Sequence, residues 1–379
     1  MTGYVDENFR SLPETDQQAL SVIEDLLRQS EYLAADEKWQ ALSDNAKNSH
    51  LGQVQHLELK TIFHRDYVGI YESAEPLVHA LVEARNGEIL RRALRCYVDS
   101  MDLISSTTEV LVFCSILAEK IRNDVVYDVN THSYLLATIA SRYAEVKDFA
   151  AARRYLDQVH KNLPSVSLET IHGSVYWVES IIFEAQGQYD EAVVSLELAI
   201  PLYEKAHLRP LFEALKGKVA QLATKKRDLD SEKAQRYVSL VRESMTEYSP
   251  LLHPRMHAVW CWIYLKVLHN LGDWSSVIEH GRYIMNFGFA NFEDAGSVKC
   301  VIADAHWRLG DSSAASHLLE QAVAEMQIST MCSETRDHLR DAAQLYAEMG
   351  DAQRAYETLL IATTSDPHLS RSLDKALNK

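Results

Sequence analysis

The feature that most constrains this chain is a short turn that returns at near-regular spacing. One copy reads Gly187-Gln188-Tyr189-Asp190-Glu191-Ala192 and another Gly272-Asp273-Trp274 leading to Val277. Two more are Gly310-Asp311-Ser312 leading to Ala315 and Gly350-Asp351-Ala352 leading to Ala355. Lys147-Asp148-Phe149 leading to Ala152 is a copy without the glycine. Glycine at such a point ends one helix in the left-handed conformation, Asp caps the next, and a small residue lets the two helices touch. Upstream of the turn, apolar residues recur at helical spacing, as in Leu136, Ile139, Ala140 and Tyr143, or Leu339, Ala342, Ala343 and Tyr346. Downstream come Leu156, Val159 and Pro164, and correspondingly Leu359, Ala362 and Pro367.

With the small residue as a ruler, the marks fall at Ala152, Ala192, Ala234, Val277, Ala315 and Ala355, and more faintly at Ala35, Ala74 and Leu111. The period is roughly 40 residues, which divides the chain into about nine helix hairpins. Only 13 glycines and 8 prolines occur in 379 residues, so long helices with short connections are expected and the fold class is all-α.

The unit resembles the tetratricopeptide (TPR) repeat. It shares large residues on the first helix, a Gly-x-aromatic turn, small residues at the helix crossing and a closing proline. The match is good around Ala152, Ala192 and Ala355. Around Ala234 the turn glycine is missing, and the Trp274 copy carries Val277 and Gly281 at later core positions. The long period is similar to that of divergent TPR arrays in bacterial regulators, including peptide-pheromone receptors and the sensor arms of transcription activators. The resemblance implies a right-handed α-solenoid with a concave inner wall. It rests on motif over residues 131–367 and on period and amphipathicity over 1–130. Residues 368–379 read as a C-terminal capping helix.

A formal net charge of −16 repels phosphate backbones, so direct nucleic-acid binding is not expected. Cys96, Cys114, Cys261, Cys300 and Cys332 are odd in number, widely spaced and form no C-x-x-C pair, which fits a reducing cytoplasm and no disulfide framework. No basic and then apolar leader opens the sequence, and no run of about 18 apolar residues suggests a membrane span. Phosphate-binding loops, dinucleotide fingerprints, H-E-x-x-H and nucleophile-elbow motifs are missing, and His64-Arg65-Asp66 lacks the companions a kinase needs. No enzyme and no cofactor are expected.

His253, His257 and Cys261 stand at i, i+4 and i+8, a stripe that could ligate a metal. Pro254 is expected to open the helix after His253, and Cys261 falls on a core position, so a structural role is favoured. Lys216, Lys218, Lys225, Lys226 and Arg227 form a basic island, and Arg91, Arg92 and Arg95 a smaller one. Each reads either as a solvated face or as a dock for an acidic partner.

The resemblance projects a ligand-facing wall onto the first helix of each repeat. Its residues here are Trp177, Ile181 and Glu184; Trp262, Lys266, His269 and Asn270; Asp304, Trp307 and Arg308; and Arg340 and Gln344. Tryptophan supplies buried area, while amides and charges satisfy a peptide's backbone and termini. The expected function is regulatory binding of a peptide or a partner protein's segment. The alternative is the sensor part of a peptide-responsive transcription regulator whose DNA-binding domain is absent from or unrecognised in this chain. The first 60 residues are acidic and contain no recognisable helix-turn-helix. A homodimer through terminal repeats is a further expectation, and the Phe287, Phe289 and Phe292 cluster reads either as a loop contact or as a buried hinge.

Overall fold

The computed structural model describes residues 7–29, 31–63, 67–84, 87–104, 107–123, 128–206, 209–225, 231–248, 250, 254–286, 295–327 and 333–364. These residues form helices joined by short connections, with no strand among them. None of the described helices is long and apolar enough to cross a membrane. Residues 1–216 and 217–379 form two compact units, and the division falls inside one helix.

In the N-terminal unit the order is α1 (Glu7–Arg10), α2 (Glu14–Gln29), α3 (Tyr32–Gln40), α4 (Asp44–Lys47), α5 (His50–Phe63), α6 (Tyr67–Glu83), α7 (Gly87–Ile104), α8 (Thr107–Arg122), α9 (Val129–Glu145), α10 (Phe149–Asn162), α11 (Glu169–Ala185) and α12 (Tyr189–Lys205). The helix α13 (Arg209–Thr224) carries the division between the units. The C-terminal unit continues with α14 (Ser231–Glu247), α15 (Pro254–Asn270), α16 (Trp274–Asn286), α17 (Ala295–Arg308), α18 (Ser312–Met326), α19 (Ser333–Glu348) and α20 (Ala352–Thr364). Apart from the single turns α1 and α4, the helices alternate as first and second members of hairpins with the ruler residue on the second, and α9 with α10, α11 with α12, α17 with α18 and α19 with α20 pack most extensively in this way. The all-α architecture of repeated helix hairpins is therefore as the sequence predicts.

The turns show why the hairpins form. Gly187, Gly272, Gly310 and Gly350 have φ of 74°, 73°, 84° and 84°, and Lys147 takes the same conformation at 64°. In each case the following N–H reaches back five residues, as from Asp273 to the Leu268 carbonyl (3.1 Å) or from Asp351 to that of Tyr346 (2.9 Å). The positive-φ residue reaches back three, as from Gly272 to His269 (3.0 Å). This double closure satisfies carbonyls left bare at a helix end. Where Asp follows, its side chain then caps the next helix, whereas Gln188 makes no such cap. Asp148 accepts from the Ala151 N–H at 2.9 Å and Asp311 from that of Ala314 at 3.1 Å.

The ruler residues Ala35, Ala74, Ala152, Ala192, Val277 and Ala315 are fully buried. In α8 the inward position is Val110 rather than Leu111, which is only half-buried, because no turn glycine fixes the phase of that helix. Ala234 is also half-buried. The crossing of α16 and α17 is tight enough to need Gly281, since a Cβ there would lie 2.4 Å from Ile302 Cγ1.

Each unit has its own apolar core. One cluster runs from Leu20 in α2 to Ile139 in α9, so packing is continuous across residue 130, where the repeat motif becomes legible in the sequence. Cys96, Cys114, Cys261 and Cys300 are buried free thiols, while Cys332, residues 368–379 and the three phenylalanines near 290 lie outside the described residues.

Candidate functional site

The first helices of the last three hairpins, α15, α17 and α19, bring most of the projected wall residues of the C-terminal unit together. Trp262, Lys266 and His269 share one stripe of α15 because they are four and three residues apart. The Lys266 ammonium lies over the Trp262 ring, 4.7 Å from its centre. The edge of the Trp262 ring meets His338 of α19, with centroids 5.7 Å apart and planes at 79°.

A chain of polar contacts crosses from helix to helix beside this aromatic seat. His269 Nε2 donates to Asp304 Oδ2 at 2.7 Å, because a carboxylate can only accept. Arg308 Nε donates to the other Asp304 oxygen at 3.0 Å, and its Nη2 reaches Glu348 Oε2 on α19 at 2.9 Å. Gln344 Nε2 donates to Glu348 Oε1 at 3.1 Å and completes the line. Burial would raise the Asp304 carboxyl, but the hydrogen bond and charge of His269, with Arg308, outweigh it and hold it below the ordinary carboxylate range. Asp341 is likewise held low, its partial burial outweighed by His338 and by the charges of Lys266 and His269.

Other projected residues are placed differently. Trp307 is, like Trp262, half-buried and packed on an apolar core, here that of α17 to α20, but it makes no ring or cation contact with the strip among the described residues. Arg340 pairs along its own helix with Asp337. Asn270 Nδ2 donates to the Gln221 carbonyl at 3.0 Å and to Thr224 Oγ1 at 3.1 Å, so the amide expected to read a ligand backbone ties α15 to the end of α13. In the N-terminal unit, Trp177 is half-buried and meets Tyr203 of its own hairpin partner edge-on at 6.4 Å. Ile181 packs on the core of α9 to α11, and Glu184 is half-buried.

Two members of the strip escaped the sequence reading. His338 and Asp341 flank Arg340, and the choice among adjacent α19 residues turned on a helix phase that sequence alone left ambiguous.

The small basic island is neither a solvated face nor a free dock. Arg91 Nη1 pairs with Asp128 at 3.1 Å and donates to Thr131 at 3.0 Å. Arg92 binds Glu58 of α5 through both oxygens and Glu24 of α2 at 2.9 Å, and Arg95 adds a 3.0 Å bond to Glu58. Burial pushes the Glu58 carboxyl up, but the two guanidiniums hold it below its ordinary value. Of the larger island, Lys216 pairs with Glu213 at 3.1 Å, and Lys226 and Arg227 lie outside the described residues.

Of the histidine stripe, the described members His257 and Cys261 are held in packing contacts. Pro254 opens α15, His253 lies outside the described residues, and His257 uses both ring nitrogens. Its Nδ1 donates to the carbonyls of Tyr248 (2.7 Å) and Met245 (3.1 Å), and its Nε2 accepts from the Tyr283 hydroxyl at 3.1 Å. Burial pushes the Cys261 thiol up to about 12.

No family model matches the chain, and no curated protein matches it in sequence. Among solved structures it is similar to the crystal structure of the APC/C hetero-tetramer Cut9-Hcn1, at 14% identity and a TM-score of 0.39, over 98% of this chain and 73% of that one. A likeness this loose carries no argument about what the chain binds.

Proposed function

We propose that this protein is a non-enzymatic, TPR-like interaction module of the cytoplasm that holds a peptide, or a segment of a partner protein, along α15, α17 and α19, in a regulatory role. The observation that carries this reading is the convergence of Trp262, Lys266, His269, Asp304, Arg308 and His338 from three successive first helices onto one strip. An extended peptide needs flat apolar area for its side chains and donors and acceptors at intervals for its backbone. The strip offers both on rigid helices. The Cys300 thiol, which feels the charges of Asp304, Asp341 and Lys266, is buried and pushed up to about 12, which keeps it un-ionised and unsuited to nucleophilic chemistry.

The test is capture of bound peptides and proteins from the native cytosol, identified by mass spectrometry, followed by titration of the recovered peptide. Trp262→Ala should weaken binding by about 2 kcal/mol, roughly 30-fold, while far-UV circular dichroism and the melting profile stay close to those of the parent. Unchanged affinity would remove the strip from the site, and a loss of helical signal would assign Trp262 to packing. Recovery of DNA in place of a peptide or protein would overturn the reading.

A further inference from the structure

The second helices of two successive hairpins in the N-terminal unit turn outward faces of opposite character. On α10 the core side is Ala152, Leu156 and Val159, and the opposite side shows Arg153, Arg154, Asp157 and Lys161, all exposed. On α12 the core side is Ala192, Leu196, Ala199 and Tyr203, and the opposite side shows Val194 at 55% and Leu198 at 48% exposure, with Pro201 exposed beside them. Glu197 and Glu204 border this apolar row and are exposed as well. The ion pairs nearby belong to neighbours, His160 with Glu179 and Lys205 with Glu169. Arg153, Arg154, Lys161, Glu197 and Glu204 have no ion pair among the described residues. This is the reverse of Arg92 on α7, whose carboxylates come from within the unit.

The spacing on the two faces matches. Arg154 and Lys161 are seven residues apart, and so are Glu197 and Glu204, and Val194 and Pro201. Seven residues are nearly two turns and rise about 10.5 Å, so each pair runs in a row along its helix. A helix bearing the basic row, laid on one bearing the acidic row, forms two charge pairs at once and places the aliphatic stems of Arg154 and Lys161 over the apolar row. Asp157 offsets one of the three positive charges on α10 and leaves that face basic.

We propose that the occupant of both faces is a second copy of this chain, with α10 of each copy lying on α12 of the other. A twofold axis makes the contact twice, so the assembly closes as a dimer. A lone acidic partner would cover α10 and leave Val194 and Leu198 bare, whereas a second copy covers both faces. The contact lies on interior hairpins and not on terminal repeats. Each copy contributes two helix faces about 20 Å long and about 10 Å wide, a small footprint of the kind that associates weakly and reversibly. The net charge of −16 opposes approach at long range, but in about 0.1 M salt it is screened beyond about 10 Å, while pairs in direct contact persist.

The experiment is sedimentation velocity of the full chain from about 5 μM to about 500 μM in about 0.1 M salt. The parent should pass from monomer towards dimer over that range. Arg154→Glu with Lys161→Glu, and separately Glu197→Lys with Glu204→Lys, set like charges opposite each other and should each raise the dissociation constant at least about tenfold. Circular dichroism should stay unchanged, since all four side chains are exposed. The first double variant is more acidic than the parent and the second less, so a loss in both cannot come from net charge. An equimolar mixture of the two again sets an acidic row against a basic one at both contacts and should recover the parent's affinity. A parent that stays monomeric throughout overturns the proposal and leaves the basic row of α10 to an acidic partner of another kind. Association that survives either reversal overturns it too, as does a mixture that fails to recover.

Discussion

Both units place charged residues on the first helices of successive hairpins, and they use them in opposite ways. In the N-terminal unit Glu24, Glu58 and Arg92 retain 15%, 9% and 16% of their side-chain exposure, and Arg91, Arg92 and Arg95 each pair with a carboxylate. In the C-terminal unit Arg308 and Glu348 retain 41% and 34% beside a half-buried tryptophan. Charges on the first helices thus act as cement in one unit and as an accessible strip in the other. What separates the two is desolvation. A charge removed from water must keep its partner, whereas one left in water can exchange its partner for a ligand at little expense.

The widest test of that contrast is to remove one arginine from each unit. Arg92→Ala leaves Glu58 with Arg95 and Glu24 with Arg28 and should lower unfolding stability by up to about 3 kcal/mol, read by urea denaturation of the N-terminal unit's transition. Arg308→Ala should cost no more than about 1 kcal/mol and act on ligand affinity instead. Equal losses from the two would erase the distinction. Packing gives a second, smaller contrast. Ala192→Leu forces bulk into a closed helix crossing and should cost about 1–3 kcal/mol, while Ala355→Leu, at a half-buried crossing, should cost less.

Acid sharpens the comparison further. Glu58 and Asp304 have folded-state carboxyls below their ordinary values of 4.5 and 3.8, so the stability they contribute is complete above those values and is lost as pH falls through the lower folded ones. The melting temperature should therefore drop as pH falls below about 4.5. Glu58→Gln should flatten that decline for the N-terminal unit and leave the C-terminal unit's own decline in place. The smallest effect is expected at Lys147, the one non-glycine with positive φ among the described residues. Lys147→Gly should raise stability by about 0.5–1 kcal/mol, seen as a small rise in the denaturation midpoint.

How much of this was legible in the sequence depended on whether the signal was local. The turn glycines and their aspartates sit within a few residues of the helices they close, so the hairpins, the period and the all-α class could be read directly. Phase was harder where that punctuation is missing, as in α8, where the inward position is Val110 and not Leu111. Contacts between hairpins were least legible. Arg91, Arg92 and Arg95 looked like an island because Glu58 and Glu24 lie one and two hairpins earlier, and nothing local announces that they will be opposite. Asn270 looked like a ligand-reading amide for the same reason, since Gln221 and Thr224 are almost fifty residues away. On the strip itself, the α15 stripe of Trp262, Lys266 and His269 was visible as a pattern, and its meeting with His338 was not.

The closed turns also bear on how the chain reaches its native state. Each Gly-Asp turn brings together two helices that are neighbours in sequence, so the entropy lost in closing the loop is small and no distant partner has to be found first. A hairpin can then serve as a template for the next one in either direction. Folding can accordingly begin at Gly187, Gly272, Gly310 or Gly350 independently, and the turn at Lys147, which must force a side-chain-bearing residue into the left-handed region, is the slowest of the five to close.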